Sequence, residues 1–154
     1  MTEESTTPDL EELVQRVVDA VHARDFDAVQ SAYAPNAVLD ILQLGATFEG
    51  RLAIRGFYEE WAATFPGWKQ EVQEILDLGD GMGIAVVAQA GHPGDSAGWV
   101  KQRYAAVATL AAGLIERQSN YTDIDEARAG AERLARERGV GAPSFASRFA
   151  KPSQ

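Results

Sequence analysis

The stretch Ile84–Tyr121, IAVVAQAGHPGDSAGWVKQRYAAVATLAAGLIERQSNY, decides the fold because it predicts three antiparallel strands joined by glycine-bearing turns. The strands are expected to run from about Ile84 to Ala90, from Trp99 to Leu110 and from Leu114 to Thr122. In the middle strand, period two gives an inward face and a more charged outward face. The inward face carries Val100, Gln102, Tyr104, Ala106, Ala108 and Leu110. Amides and a tyrosine therefore stand where a pocket enzyme would carry carboxylates.

The last of these strands is polar on both sides. Period two puts Glu116, Gln118, Asn120 and Thr122 on one face and Ile115, Arg117, Ser119 and Tyr121 on the other. Such a strand is poor material for a closed core, but it suits the wall of a cavity that must hydrogen-bond a ligand. The alternative is an edge strand wetted by solvent.

Helices precede the strands. Thr7 is a candidate N-cap with Pro8 in the first turn, and an apolar stripe follows at helical spacing. The stripe consists of Leu10, Leu13, Val14, Val17, Val18 and Val21. A second helix after Asp25 is expected to carry Phe26, Val29 and Tyr33 inward and to stop at Pro35, and Ala37–Leu42 is expected to be the first strand.

An aromatic stripe marks a third helix, which is expected to begin near Arg51 and to end at Pro66. The stripe consists of Ile54, Phe57, Tyr58, Trp61 and Phe65. A further strand begins at Trp68, and a final helix capped by Asp123 is expected to reach about Arg138. We expect one deep pocket between the third helix and the sheet.

Composition limits the classes of protein that remain. The 154 residues, 45% of them hydrophobic, predict one domain over 9–138, flanked by tails at 1–8 and 139–154. The net charge of -9 argues against nucleic acid or an anionic membrane as partner. The chain has no cysteine and no apolar run long enough to span a bilayer. Its first residues are polar and acidic, so we expect no signal peptide. We expect a cytoplasmic protein.

The order of elements over Leu10–Asp123 resembles the nuclear transport factor 2-like superfamily, and within it the SnoaL-like domain. Four motifs carry the resemblance: Arg24-Asp25-Phe26-Asp27 at the joint of the first two helices, Tyr33 to Asp40, Phe48 to Tyr58, and Gly113-Leu114-Ile115 with Tyr121 and Asp123. The resemblance implies an α+β fold of the kind called a cystatin-like α+β barrel. In this fold a curved, cone-shaped sheet, either mixed or antiparallel, wraps around N-terminal helices.

The catalytic sets of the superfamily do not carry over intact. Where ketosteroid isomerases have a tyrosine, this chain has Val17, and near their neutral acid it has Tyr104 or Ala105. Their first-strand base is matched by Asp40, one position out of register. The acid, arginine and acid of limonene epoxide hydrolases fall on Asn120, Val87 and Gln89. His92 is a possible match for the histidine of SnoaL-like cyclases, but the strand Trp99–Leu110 offers no aspartate.

Three residues are the candidates for catalysis. Asp40 lies in an apolar strand, so a cavity-facing carboxylate there would have a raised pKa and act as general base or acid. The alternatives are a solvent-facing strand residue and a carboxylate satisfied by an arginine such as Arg51 or Arg55. Tyr104 could donate to a developing oxyanion, and the alternative is ordinary core packing. His92, in a glycine-rich loop, either transfers a proton or simply titrates in solvent.

Amides and aromatics are the candidates for substrate binding. The amides are Gln89, Gln102, Gln118 and Asn120, and the aromatics are Trp61, Phe57, Tyr58, Trp99 and Tyr33. Partial exposure for the amides and plain core packing for the aromatics are the alternatives. With His22 and His92 as the two histidines, no set of residues has the spacing of a metal site.

Two hypotheses of function follow. The first is a cofactor-free cyclase or isomerase that resembles SnoaL-like enzymes and acts on a hydrophobic, polyketide-like or terpenoid-like small molecule. The second is a non-catalytic cone that binds a ligand or serves as a dimerisation module. A homodimer is expected in either case, formed through the outer sheet face at Ala105 and Val107, beside Arg103.

Overall fold

The computed structural model describes residues 10–92, 98 and 100–137, which form four α-helices and six strands in those ranges. In chain order the elements are α1 (Leu10–His22), α2 (Phe26–Ser31), β1 (Tyr33–Ile41), β2 (Ala46–Glu49), α3 (Arg51–Thr64), β3 (Lys69–Gly79), β4 (Met82–Gly91), β5 (Val100–Ala111), β6 (Leu114–Tyr121) and α4 (Ile124–Glu137). A short 3-10 turn, Leu42–Leu44, follows β1. The predicted order of helices and strands is confirmed except for β2, a short strand that was not predicted.

The six strands form one curved, mixed sheet in the order β2-β1-β6-β5-β4-β3. β1 runs parallel to β6, and every other neighbouring pair is antiparallel. The sheet is not closed, so β2 and β3 are its two edges. The expectation of an α+β fold with a curved sheet around N-terminal helices is confirmed. Because β3 is an edge strand, its backbone pairs with β4 alone.

The N-terminal helices enclose the core on the inner face of the sheet. Leu13 of α1, Val29 of α2 and Leu39 of β1 are almost completely buried together there. The side chain of Asp25 caps α2 by accepting a hydrogen bond from the Ala28 N–H at 3.1 Å. The helical stripe of α1 therefore faces the sheet, as predicted.

The predicted end of α2 at Pro35 is wrong. The helix ends at Ser31, Tyr33 begins β1, and Pro35 lies inside that strand. The pairing of β1 with β6 shifts register between Tyr33 and Val38, which is an irregularity where a residue without an N–H is tolerated. The Arg51 guanidinium satisfies the Tyr33 carbonyl there at 2.7 and 3.1 Å.

Helix α4 covers part of the outer face of the sheet. Its small residues Ala127, Ala131 and Ala135 are completely buried against that face, and beneath them Ala105 and Val107 have no exposed surface. The prediction that Ala105 and Val107 form an open dimer patch is therefore wrong, because the chain's own last helix occupies it. Assembly into a homodimer stays a prediction.

A bulge in β6 changes which side chains face inward. Thr109 pairs with Arg117, but Leu110 pairs with Ile115, so Glu116 is an extra residue in the ladder. Ile115 consequently lies on the same face as Gln118 and lines the interior. The predicted strict alternation, with Ile115 opposite Gln118, is wrong at this point.

Several predictions lie outside the described residues. These are the cap at Thr7 and Pro8, the aromatic wall at Trp99, the end of the last helix at Arg138, and both tails. Within the described ranges, none of the helices has the length and apolar character needed to cross a membrane. The cytoplasmic location and the domain limits stay predictions.

Candidate functional site

Two cavities lie between the helices and the inner face of the sheet. The apolar cavity has a volume of about 50 Å3 and is lined on one side by α1, through Leu10, Leu13, Val14, Val17 and Val18. The amide cavity, also about 50 Å3, lies against Phe57 and Trp61 of α3. Its polar lining consists of Gln43, Gln70, Gln89, Gln102, Tyr104, Asn120 and Thr122. Each volume has room for only a few water molecules.

The prediction of one deep pocket between α3 and the sheet is wrong in its extent. The interior is divided, and α3 lines mainly the amide cavity, to which it gives Phe57 and Trp61. Gln70 and Tyr104 line both cavities and so form their common wall. The predicted inward position of Tyr104 is confirmed by this placement.

A network of side-chain amides forms the polar wall. Gln89 accepts hydrogen bonds from Trp68 Nε1 and from Gln70 Nε2, both at 3.2 Å. Gln89 in turn donates to Gln102 at 2.8 Å, and Gln102 also accepts from Gln43 at 3.3 Å. The strands β3, β4 and β5 are thus linked by neutral groups, and the turn after β1 is tied to the same wall.

A second chain of hydrogen bonds runs from α3 into β6. The Tyr33 hydroxyl donates to Gln118 Oε1 at 2.6 Å and lies 2.9 Å from the Tyr58 hydroxyl. Because a hydroxyl has one proton, Tyr58 must be the donor in the second contact. Gln118 then donates to Asn120 Oδ1 at 2.9 Å. The protons of Tyr33 and Tyr58 are therefore both committed within the protein.

Tyr104 differs from these two tyrosines. Its hydroxyl accepts a hydrogen bond from Gln70 Nε2 at 3.1 Å, which uses a lone pair and leaves its own proton. Among the described residues none accepts that proton. Since Tyr104 faces both cavities, its O–H is available to donate to a ligand in either one.

The interior is electrically neutral. Burial raises the pKa of Tyr33, Tyr58 and Tyr104 above the ordinary value for tyrosine, so all three hydroxyls stay protonated near neutral pH. Of the described residues that line the two cavities, none is an aspartate, glutamate, lysine, arginine or histidine. The walls can donate and accept hydrogen bonds, but they offer no charge to a ligand.

Asp40 does not face this interior. Its carboxylate accepts hydrogen bonds from Thr47 Oγ1 at 2.8 Å, from Arg117 Nη2 at 2.7 Å and from Ser119 Oγ at 3.1 Å. Ser119 pairs with Val107, which lies under α4 on the outer face. The predicted proton-transfer role therefore has no geometric support, and the alternative of a carboxylate satisfied by an arginine holds, with Arg117 as the partner.

The remaining candidates divide between the cavities. Gln89, Gln102, Asn120, Phe57 and Trp61 line the amide cavity, Tyr58 and Gln118 line the apolar cavity, and Tyr33 lies fully buried behind Gln118. His92 is half-buried just after β4 and lines neither cavity. The amide candidates thus come together as predicted, whereas Asp40 and His92 do not join them.

Sequence reasoning missed Gln70, the residue that connects the two cavities. It lies in β3, where period two places it on the same face as Val72, whose partner Val87 lines the apolar cavity. Its backbone N–H donates to His22 Nε2 at 2.9 Å, which ties β3 to the end of α1. Gln43 in the 3-10 turn carried no sequence signal.

Comparison with known proteins identifies the fold family. The sequence model of the SnoaL-like domain matches residues 14–118. No curated protein matches the chain. Among solved structures, a hypothetical protein with a ketosteroid isomerase-like fold from Catenulispora acidiphila, in complex with trimethylamine, is 18% identical with a TM-score of 0.68. The match covers 89% of this chain and 97% of that one.

Two further structures show the same architecture. An NTF2-like protein of unknown function from Burkholderia pseudomallei is 16% identical with a TM-score of 0.64, over 75% of this chain and 92% of that one. A protein from Sinorhizobium meliloti described as a candidate polyketide cyclase is 20% identical with a TM-score of 0.60, over 77% and 99%. At these identities the likeness concerns the fold alone.

Proposed function

Because the chain belongs to the SnoaL-like domain family, we propose that its cone holds a neutral small molecule with an apolar body and a carbonyl or hydroxyl oxygen. The observation that carries the proposal is the Tyr104 hydroxyl, which accepts from Gln70 and keeps its own proton toward both cavities. A ligand oxygen would accept that proton. The apolar cavity beside α1 would hold the rest of the molecule.

The neutrality of the walls selects the class of ligand. A charged group buried against amides and aliphatic side chains would lose its hydration without gaining a counter-charge. A neutral polyketide-like or terpenoid-like molecule avoids that cost and uses both kinds of wall. In the Catenulispora acidiphila protein the same fold is found in complex with a small organic molecule, which supports ligand binding by a cone of this type.

Catalysis by hydrogen bonding is the second candidate function. A carbonyl that accepts from Tyr104 is polarised, and negative charge that develops on its oxygen during isomerisation or cyclisation is stabilised by the same donor. The raised pKa of Tyr104 keeps it a donor rather than a base. This mechanism requires no cofactor and assigns no step to Asp40, whose carboxylate is held by Arg117 and Ser119 on the other face.

The test compares ligands that differ by one oxygen. Calorimetry with a terpenoid ketone and its parent hydrocarbon should show tighter binding of the ketone by roughly fivefold, since a neutral hydrogen bond contributes about 1 kcal/mol. Tyr104→Phe should remove that preference. Tyr121→Phe, on the outer face beneath α4, should retain it.

The outcomes separate the two candidate functions. A preference for the ketone that survives in Tyr104→Phe would contradict the proposed role of Tyr104, and failure of every neutral ligand to bind would contradict the proposal as a whole. The catalytic candidate would be favoured if the protein converts a bound ketone and Tyr104→Phe converts it more slowly, while the affinity of the variant for the hydrocarbon is unchanged.

A further inference from the structure

The two cavities share a wall that contains one contact between side chains. Gln70 and Tyr104 line both cavities, and the hydrogen bond from Gln70 Nε2 to the Tyr104 hydroxyl lies in their common wall. Each cavity is about 50 Å3, whereas small-molecule sites usually measure roughly 300 Å3 or more. A ligand of the proposed class is too large for either cavity alone.

We propose that the Gln70 side chain is the partition between the two cavities and sets the longest ligand that the cone accepts. This inference rests on the proposed function, because it specifies how a ligand occupies the same interior. When Gln70 turns aside, the apolar cavity and the amide cavity become one elongated site. Gln70 is then a specificity-determining residue and takes no part in proton transfer.

The Gln70 side chain is held less firmly than its backbone. The backbone N–H is bound to His22 Nε2 at 2.9 Å, and the residue pairs with Gln89 in the ladder of β3 and β4. Its side chain, in contrast, makes two neutral hydrogen bonds of 3.1 and 3.2 Å, at the long end of the usual range. β3 is an edge strand, so no further strand packs beside Gln70.

The two partners that Gln70 leaves keep other hydrogen bonds in the proposed complex. Tyr104 donates its proton to the ligand oxygen, and Gln89 remains bound to Trp68 and Gln102. The joined site is apolar at the α1 end and rich in amides at the other. It therefore fits an elongated neutral molecule whose oxygen-bearing end lies at the amides and whose hydrocarbon end lies against Val14 and Val17.

The experiment measures how affinity depends on ligand length. Straight-chain methyl ketones of increasing length are titrated by calorimetry into the parent protein, Gln70→Ala and Gln73→Ala. Gln73 is the matched control because it is an exposed glutamine of the same strand that lines neither cavity. Each added methylene that enters apolar surroundings strengthens binding by about fourfold.

In the parent, affinity is expected to stop rising at the length at which the partition must open. In Gln70→Ala the rise continues, so that the longest ketones bind at least roughly tenfold more tightly than in the parent, while the shortest bind equally. Gln73→Ala should match the parent. Gln70→Asn, whose side chain is one methylene shorter and keeps its amide, should extend the limit partly and serves if Gln70→Ala does not fold.

The possible results are distinct. An unchanged length limit in both Gln70 variants, with ketones still bound, would overturn the partition and leave the proposed function standing. A limit that shifts equally in Gln73→Ala would also overturn it, since the effect would then come from the strand. Absence of ketone binding in every protein would overturn the proposed function and, with it, this inference.

Discussion

The substitution Asp40→Asn separates a structural carboxylate from a catalytic one. In the structure this carboxylate joins three elements, because it accepts hydrogen bonds from Thr47 in β2 and from Arg117 and Ser119 in β6. Its side chain is 16% exposed, whereas that of Arg117 is 46% exposed. We expect the substitution to lower the stability of the fold and to leave ligand affinity unchanged.

The size of the stability loss in Asp40→Asn follows from the hydrogen bonds that the new amide can still accept. The asparagine oxygen can keep the bond from Thr47, but its NH2 group then faces the Arg117 and Ser119 donors. Hydrogen bonds to charged groups contribute about 1.5–3 kcal/mol, and exposure of Arg117 screens its share. We therefore expect a loss of about 1–2 kcal/mol in the free energy of unfolding, or a melting temperature lower by roughly 3–6 °C.

The assay is urea unfolding combined with ketone titration, on Asp40→Asn, Arg117→Gln and the double variant. If Asp40 acts through Arg117, the two losses should be less than additive, because either substitution breaks the same pair. The reasoning would be refuted by an Asp40→Asn protein of parental stability that no longer binds ketone or no longer converts it. That result would place Asp40 in the functional site.

Two further predictions concern the tyrosines and α4. Because the pKa values of Tyr33, Tyr58 and Tyr104 are raised in the folded protein, the unfolded chain loses these protons at lower pH. The free energy of unfolding should therefore fall as pH rises above about 10, and it should fall less steeply in Tyr104→Phe. Equal slopes of unfolding free energy against pH in the two proteins, measured by urea titration, would contradict this. Gly130→Ala should destabilise the protein by roughly 1–3 kcal/mol, because the added methyl collides with the Tyr121 hydroxyl. Alanine otherwise favours a helix, so thermal melting of the variant at or above the parental temperature would show that α4 does not pack this closely.

Local patterns in the sequence predicted every helix and strand except β2, but not all of their limits. The stripe of α1 and the alternation of β5 are periodic over many residues, so their inward faces were predictable. The end of α2 was not, since Pro35 is compatible with a helix stop and equally with an irregular strand. The packing of alanine-rich α4 on the sheet was not predictable, because it depends on the shape of the sheet surface beneath the helix. No local pattern in the sequence indicates that shape.

The candidate site was predictable in composition and not in geometry. The amides of β4, β5 and β6 were identified from period two, and Gln89, Gln102 and Asn120 do lie together. Gln70 was missed because its role depends on meeting Tyr104, which lies 34 residues later in the chain. The proposed partition between the two cavities depends on that pair, which no local pattern contains.

The sequence by itself determined the order of elements apart from β2, the α+β class and the neutral, amide-rich character of the inner wall. These features depend on residue type and local period. Only the tertiary structure decided which face Asp40 occupies and which side chains close the interior. Those features depend on pairing between distant strands: Asp40 meets Arg117, 77 residues away, and the extra residue Glu116 turns Ile115 inward. A shift of one residue in a strand exchanges its two faces, so register, which the sequence does not state, decides which groups a ligand can reach.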